Sequence, residues 1–246
     1  MIKQILKKGL KLPLLLIKRQ KGKIQLSKLK LHESLKLQAV SDTLHEVLLN
    51  IKDGEEQEAC TLIEQRRSFL LNSHQKISVI DYGAGRPSSN RTKEEMEKGV
   101  LSKALVADIC RASKPTFWGT ILFKLIRKLK PLSCVELGSC VGISAAYQGF
   151  ALNLNGKGNL TTLEGSSEIA NIAKEILGAL SLNNTSVVIS PFHETLKSVL
   201  ELSKPVDFFC NDGHHDHYAV IANFNTAVLM DFFKYFCTGA RRESWK

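Results

Sequence analysis

Two short stretches of this 246-residue chain combine an apolar run, an acid and spaced glycines, a pattern typical of loops that hold a nucleotide-like ligand. Residues 134–144 read CVELGSCVGIS, and residues 77–89 read ISVIDYGAGRPSS. A ligand loop of this kind follows a strand and opens an apolar helix, because glycine permits a tight turn and the helix N-terminus presents free N–H groups. ISAAYQGFAL follows the first stretch, whereas polar RPSSNRTKEEMEKG follows the glycines of the second. We therefore place the ligand loop at 134–144 and predict that DYGAG is a turn or hairpin outside the site, with contact to a substrate as the alternative.

The acids around this loop indicate which ligand it holds. Glu164 ends a strand-like run 22 residues after Gly142, where an acid can accept both ribose hydroxyls. Dinucleotide-binding loops usually read G-x-G-x-x-G, whereas here Gly138 and Gly142 are four apart. Glu136 precedes Gly138 by two residues, and its charge repels a pyrophosphate but suits an ammonium and a sulfonium. The sequence therefore favours S-adenosylmethionine over a nicotinamide dinucleotide.

Three motifs in order resemble those of one enzyme superfamily. VELGSCVGIS resembles the glycine-rich first motif of class I S-adenosylmethionine-dependent methyltransferases, and TTLEGSSEIANIAKEIL resembles their acidic second motif. VDFFCNDGHHDHYAVIANF resembles the D-G-x-H stretch after the fourth strand. The run from about Ile77 to Phe224 is most similar to small bacterial O-methyltransferase-like proteins.

The resemblance implies a set of site residues. Those expected to bind the cofactor are Glu136, Gly138, Ser139, Gly142, Glu164, Gly165, Phe192 and Asp212. The first four would surround the methionine part, Glu164 the ribose and Phe192 the adenine, and Asp212 would face the transferred methyl group. Methyl transfer to oxygen or nitrogen needs alignment and removal of a proton, so Asp212 and His215 are the candidate catalytic bases.

The DGHHDH segment is rich in metal-ligand residue types. Adjacent side chains in a tight turn cannot all point at one ion, so we predict no metal here and keep a metal site as the alternative. Asp216 is instead the expected N-cap of the following helix.

Strands and helices must alternate to position these residues. From residue 100 onward, helices are predicted over VLSKALVADICRAS and WGTILFKLIRKLK, and strands over SCVEL, NLTTLE, SVVIS and VDFFCND, with helices between them. The pattern predicts an α/β protein, a Rossmann-like parallel sheet with flanking helices, preceded by an N-terminal helical region. Parallel crossovers then place the loops after each strand on one ligand-binding edge. The basic residues Lys124, Arg127, Lys128 and Lys130 are interpreted as a solvent-facing helix side.

The predicted domain organisation has three parts. They are a basic apolar leader (1–30), a helical region (31–76) and the S-adenosylmethionine-binding domain (77–246). The last predicted helix runs to Phe236, and the resemblance implies three further strands, so the domain is expected to be truncated after its fourth strand and helix. The free edge of that strand would then be uncovered.

The charge distribution and the cysteine pattern limit the possible partners and the cellular location. Ten basic residues and no acid lie within residues 1–30, which equals the whole formal net charge of +10, so a nucleic-acid-binding face is not expected. The longest uninterrupted apolar stretch of the leader, LPLLLI, is too short to span a bilayer. The leader suits peripheral contact with an anionic membrane, and a solvated arm with some helix is the alternative. Six cysteines without a C-x-x-C pair indicate a reducing, cytoplasmic location.

The resulting functional prediction is O-methyl transfer from S-adenosylmethionine to a small-molecule or glycan-type acceptor. Two alternatives stay open at this point. One is a catalytically silent, truncated or membrane-peripheral Rossmann-like protein, and the other is an NAD(P)-dependent oxidoreductase.

Overall fold

The computed structural model describes residues 22, 24–83, 85, 91–214, 216–229 and 235–238. The chain divides into two compact units, Met1–Lys52 and Asp53–Lys246. In the first unit, residues 24–30 are helical and α1 spans Leu35–Leu48; the Ser41 hydroxyl donates to the Leu26 carbonyl at 2.7 Å. Most of the predicted leader lies outside the described residues, so its contact with a membrane stays a prediction.

The second unit carries the sheet and its helices. Its helices are α2 (Gly54–Leu71), α3 (Lys93–Lys98), α4 (Val106–Ala112), α5 (Thr116–Leu129), α6 (Ile143–Leu154), α7 (Ser167–Ala179), α8 (Phe192–Leu202) and α9 (His217–Leu229). Its strands are β1 (Lys76–Asp81), β2 (Val100–Leu105), β3 (Ser133–Leu137), β4 (Asn159–Glu164), β5 (Thr185–Ile189), β6 (Phe208–Asn211) and β7 (Tyr235–Thr238). Within the described residues, no helix is both long enough and apolar enough to cross a membrane.

Five parallel strands form the main sheet in the order β5-β4-β3-β6-β7. Strand β3 is central, because the chain moves outward to β4 and β5 and then returns to place β6 on the other side of β3. One apolar cluster packs α5, α6 and α7 against one face, and a second packs α8 and α9 against the other. The predicted Rossmann-like α/β fold is therefore confirmed. A ligand is expected to bind at the edge where the strand order reverses, between β3 and β6.

The end of the described chain differs from the prediction. Helix α9 ends at Leu229, not near Phe236, and β7 pairs in parallel with β6 from Phe208↔Tyr235 to Asn211↔Thr238. A short apolar run such as YFCT fits a buried helix or a strand equally well, and only a neighbouring strand decides between them. The backbone edge of β6 is thus covered, so the expectation of an uncovered edge is wrong.

The segment before the sheet also differs. Residues 100–105, predicted as the start of a helix, form β2, which pairs antiparallel with β1 from Lys76↔Leu105 to Asp81↔Val100. Only the second half of the predicted segment is helical, as α4. The N–H and C=O groups of β1 need partners, and this pairing overrides the weak helix propensity of residues 100–105.

A buried ion pair attaches α2 to α5. Lys124 Nζ lies 2.5 Å from Glu56 Oε2, both residues are buried, and Arg127 Nε lies 3.5 Å from the other carboxylate oxygen. The solvent-facing interpretation is therefore wrong for Lys124. Glu56 also closes a capping box with Asp53, so one carboxylate ties the start of α2 to the middle of α5.

Candidate functional site

The glycine loop between β3 and α6 turns through left-handed backbone conformations. Gly138 has φ +92°, Cys140 +48° and Gly142 +85°. A Cβ on Gly138 would lie 2.8 Å from the Cα of Gly213, and one on Gly142 would lie 3.0 Å from the Cα of Ala173. The absence of side chains at these two positions therefore lets the loops after β3 and β6 approach each other and lets α7 pack on the start of α6.

Glu136 lies in the core beneath this loop. It is fully buried, and its two carboxylate oxygens accept hydrogen bonds from Gln148 Nε2 at 2.6 Å and from the Thr162 hydroxyl at 2.7 Å. Thr162 also lies 2.9 Å from the hydroxyl of Ser139, which is equally buried. Burial raises the pKa of Glu136 to about 7, although the hydrogen bond from Thr162 opposes the shift. The structure thus places Glu136 and Ser139 together, and their contact with a methionine part stays a prediction.

Glu164 stands at the end of β4, directly beside the glycine loop. Its Oε2 accepts the N–H of Cys140 at 3.0 Å, and its Oε1 accepts the N–H of Ser166 at 3.1 Å. Burial raises its pKa to about 7, and these backbone hydrogen bonds oppose the shift. Each oxygen keeps a second lone pair, so the carboxylate can accept two further hydroxyl donors.

Asp212 follows β6, and the structure gives it a partner that the sequence does not indicate. Lys114 Nζ lies 2.8 Å from Asp212 Oδ1, and both side chains are more than four-fifths buried, at 15% and 16% exposure. The backbone N–H of Asp212 donates to the Leu137 carbonyl at 3.0 Å, which fixes the carboxylate at the end of the two central strands.

A second layer holds Lys114 in place. Arg67 on α2 donates to the Lys114 carbonyl at 2.7 Å and to the Ser113 hydroxyl at 2.9 Å, and Glu64 binds Arg67 at 2.9 Å. The Tyr147 hydroxyl donates to Glu64 at 2.8 Å. Helices α2 and α6 therefore position the short connection between α4 and α5 that brings Lys114 to the sheet edge.

The loop after β6 also carries a histidine with an unused ring nitrogen. His214 has φ +52°, burial lowers its pKa, and among the described residues its buried Nδ1 has no hydrogen-bond partner. The ring of Phe192, the first residue of α8, covers Gly213, since a Cβ there would lie 2.3 Å from Phe192 Cε2. The predicted base His215 lies outside the described residues.

Asp216 has the predicted capping role. Its Oδ2 accepts the N–H of Ala219 at 3.0 Å in the first turn of α9, which confirms the N-cap. In the part of the chain that the structure describes, no three His, Cys, Asp or Glu side chains are grouped to hold a metal ion.

The hairpin of β1 and β2 reaches this edge as well. Tyr82, from the DYGAG segment, lies against Gly165: a Cβ on this glycine would be 2.6 Å from Tyr82 Cδ2. DYGAG therefore contacts a predicted cofactor residue. The acid and spaced glycines drew attention to this segment in the sequence. The polar residues that follow it gave no indication that the hairpin contacts the turn after β4.

The strand order and the residues at the carboxyl ends of the central strands can be compared with those of a known class of protein. A parallel sheet of this order, with a glycine loop after the central strand, an acid at the end of the next strand and an acid after β6, is the arrangement of a class I methyltransferase domain. Residues 135–232 match the family described as "Methyltransferase domain". Residues 135–232 are therefore similar to this family, which agrees with the resemblance to class I S-adenosylmethionine-dependent methyltransferases.

Solved structures with similar folds include three methyltransferases. PaMTH1 from Podospora anserina, solved with S-adenosylhomocysteine, is 19% identical, with a TM-score of 0.48 over 53% of this chain and 55% of its own. TomG from Streptomyces achromogenes, an O-methyltransferase of tomaymycin synthesis solved with S-adenosylmethionine, is 19% identical, with a TM-score of 0.43 over 48% and 52%. An O-methyltransferase from Bacillus cereus, solved with S-adenosylhomocysteine, is 20% identical, with a TM-score of 0.44 over 76% and 66%.

The chain thus spans about half the length of PaMTH1 and TomG and 66% of the Bacillus cereus protein. No curated protein matches it.

Proposed function

We propose that this chain transfers the methyl group of S-adenosylmethionine to a hydroxyl of a small-molecule or glycan-type acceptor. The observation that carries the proposal is the Asp212 carboxylate, which Lys114 holds at the end of β6 beside the glycine loop. An oxygen acceptor must lose a proton when it is methylated, and a carboxylate fixed where the transferred methyl is expected can accept that proton.

The residues of this edge fit the cofactor. Gly138 and Gly142 let the loop turn tightly against the backbone of Gly213 and Ala173, and a tight glycine turn before a helix N-terminus presents main-chain N–H groups to a ligand. Glu164 offers lone pairs for the two ribose hydroxyls, and the Phe192 ring beside Gly213 offers an aromatic surface for adenine. Glu136 and Ser139, which Thr162 joins beneath the loop, would place negative charge and a hydroxyl close to the ammonium end.

The chemistry at Asp212 follows from its charge and its partner. When bound, the cofactor supplies a methyl group already activated by a sulfonium. Asp212 would accept the proton of the acceptor hydroxyl as its oxygen takes the methyl group, and S-adenosylhomocysteine would be the leaving product. The Lys114 ammonium stabilises the negative charge that develops on the acceptor oxygen. His214 follows Asp212 by two residues, and burial lowers the pKa of its imidazole.

A small acceptor is favoured over nucleic acid, because the excess of basic residues belongs to the first thirty residues and not to the sheet edge. The cytoplasmic location remains a prediction from cysteine usage.

The test separates binding from transfer. Purified chain is first titrated calorimetrically with S-adenosylhomocysteine, with Gly142→Asp as the variant expected to lose binding. Chain loaded with methyl-labelled S-adenosylmethionine is then offered a panel of phenols, catechols and free sugars, and labelled product is counted.

Asp212→Asn should retain S-adenosylhomocysteine binding and lose label transfer by about a hundredfold or more, the range that general-base catalysis contributes. Asp216→Asn, the same change four residues later on a capping residue, should keep both. Absence of S-adenosylhomocysteine binding by the folded wild-type chain would reject the proposal, as would label transfer by Asp212→Asn at the wild-type rate.

A further inference from the structure

The β1–β2 hairpin lies outside the matched methyltransferase domain, yet it is attached to the cofactor edge. One edge of β1 pairs with β2, and the other is bound by side chains from the start of α7. The N–H of Ser78 donates to Glu168 Oε2 at 3.1 Å, and the N–H of Ile80 donates to the Ser166 hydroxyl at 3.3 Å. The hairpin is therefore held against the turn that carries Glu164.

Tyr82, the residue after β1, is clamped between two glycines. A Cβ on Gly165 would lie 2.6 Å from Tyr82 Cδ2, and one on Gly99, the residue before β2, would lie 2.9 Å from Tyr82 Cε1. Each distance is shorter than real Cβ contacts allow, so both positions need glycine if the ring is to stay. The ring is thus in direct contact with the backbone that follows Glu164.

The pKa of Tyr82 is also influenced by a charged residue that follows β5. Its pKa is raised first by burial and then by the negative charge of Glu194, which lies in the first turn of α8 after β5. The contact with Gly165 places the Tyr82 ring beside the carboxyl end of β4, and α8, which carries Glu194, follows the neighbouring strand β5. In a parallel sheet of this order, the acid that binds the ribose stands at the carboxyl end of β4.

We propose that Tyr82 forms the wall of the cofactor site on the adenosine side, so that the N-terminal hairpin is a working part of that site. The inference rests on the proposed function and extends it, because it assigns cofactor contact to a residue outside the methyltransferase domain. An aromatic ring held beside the ribose acid presents the flat surface on which a nucleoside base stacks.

The experiment measures ligand affinity and needs no acceptor. Wild-type chain, Tyr82→Ala, Tyr82→Leu and Tyr82→Phe are titrated with S-adenosylhomocysteine and with 5′-methylthioadenosine, which has no amino-acid part. Tyr218→Ala is the matched control, since Tyr218 is 80% exposed on α9. Circular dichroism and urea unfolding establish that each variant is folded, and Tyr82→Leu preserves apolar bulk if the alanine variant is unstable.

Loss of the ring should raise Kd at least about fivefold for both ligands, which corresponds to about 1 kcal/mol, the lower end for stacking on a base. Tyr82→Phe and Tyr218→Ala should stay within about twofold of wild type. An unchanged or lower Kd in folded Tyr82→Ala and Tyr82→Leu would overturn the inference, as would a loss confined to S-adenosylhomocysteine. Failure of the proposed function looks different: the wild-type chain itself would not bind, or Gly142→Asp would bind equally well.

Discussion

Replacement of Glu164 by glutamine tests whether this acid binds the cofactor ribose. Its two oxygens already accept N–H groups from Cys140 and Ser166, and burial raises its pKa to about 7. Ribose hydroxyls that donate to the carboxylate stabilise its ionised form. Ligand binding should therefore lower the pKa of Glu164 and release a proton.

The expected change in ligand affinity with pH follows from the pKa of Glu164. If the ionised form alone binds, the carboxyl is about one-tenth ionised at pH 6 and about nine-tenths ionised at pH 8, so the affinity for S-adenosylhomocysteine should rise about tenfold between these values. Loss of hydrogen bonds to a charged group costs about 1.5–3 kcal/mol. Glu164→Gln should therefore raise Kd at pH 8 by about ten- to a hundredfold.

Titration calorimetry between pH 6 and 8, in two buffers with different ionisation enthalpies, measures both the affinity and the number of protons released. Wild type should release protons on binding near pH 7, and Glu164→Gln should not. Glu175→Gln, the same change at an exposed position of α7, should behave as wild type. The reasoning is refuted if Glu164→Gln keeps the pH dependence, which would assign it to Glu136, whose pKa is also about 7.

Three further outcomes are expected. Gly138→Ala should lower the free energy of unfolding by about 1–3 kcal/mol more than Gly156→Ala in urea titrations, because both glycines have positive φ but only the first would clash with neighbouring backbone. The free energy of unfolding should fall as pH rises from about 4.5 to about 7, since burial raises the pKa of both Glu136 and Glu164 and the folded chain binds their protons more tightly. Glu136→Gln should reduce this slope and leave the contribution of Glu164, and an unchanged slope would contradict the assignment to Glu136. Lys124→Met should lower the free energy of unfolding by about 3 kcal/mol, because it leaves the buried Glu56 carboxylate with only the more distant Arg127 as a partner. A decrease below about 1 kcal/mol in urea titrations would show that this ion pair adds little to stability.

Predictions from local patterns include the α/β fold and the cap at Asp216, which the structure confirms, and the ligand loop and ribose acid, which remain predictions. The glycine spacing, the acid 22 residues after Gly142 and the cap at Asp216 all depend on neighbouring residues or on one strand–helix–strand unit. Such units have fixed handedness and short connections, so their residues meet at a known edge of the sheet.

The features that the sequence did not predict depend on contacts between distant parts of the chain. Lys114 meets Asp212, and Tyr82 meets Gly165, across large separations in the chain, and no periodicity links either pair. Lys124 looks like a solvent-facing helix residue until α2 supplies a buried carboxylate for it.

The sequence by itself determined the Rossmann-like class and the positions of the glycine loop and of the acids that are expected to bind a ligand, because these follow from spacing within single supersecondary units. The tertiary structure alone decided that β7 covers β6, that a hairpin reaches the turn after β4, and that a lysine is paired with the candidate base. These features depend on which distant segments pack together, and that choice is made by burial and backbone hydrogen bonding over the whole domain and not by any short stretch of residues.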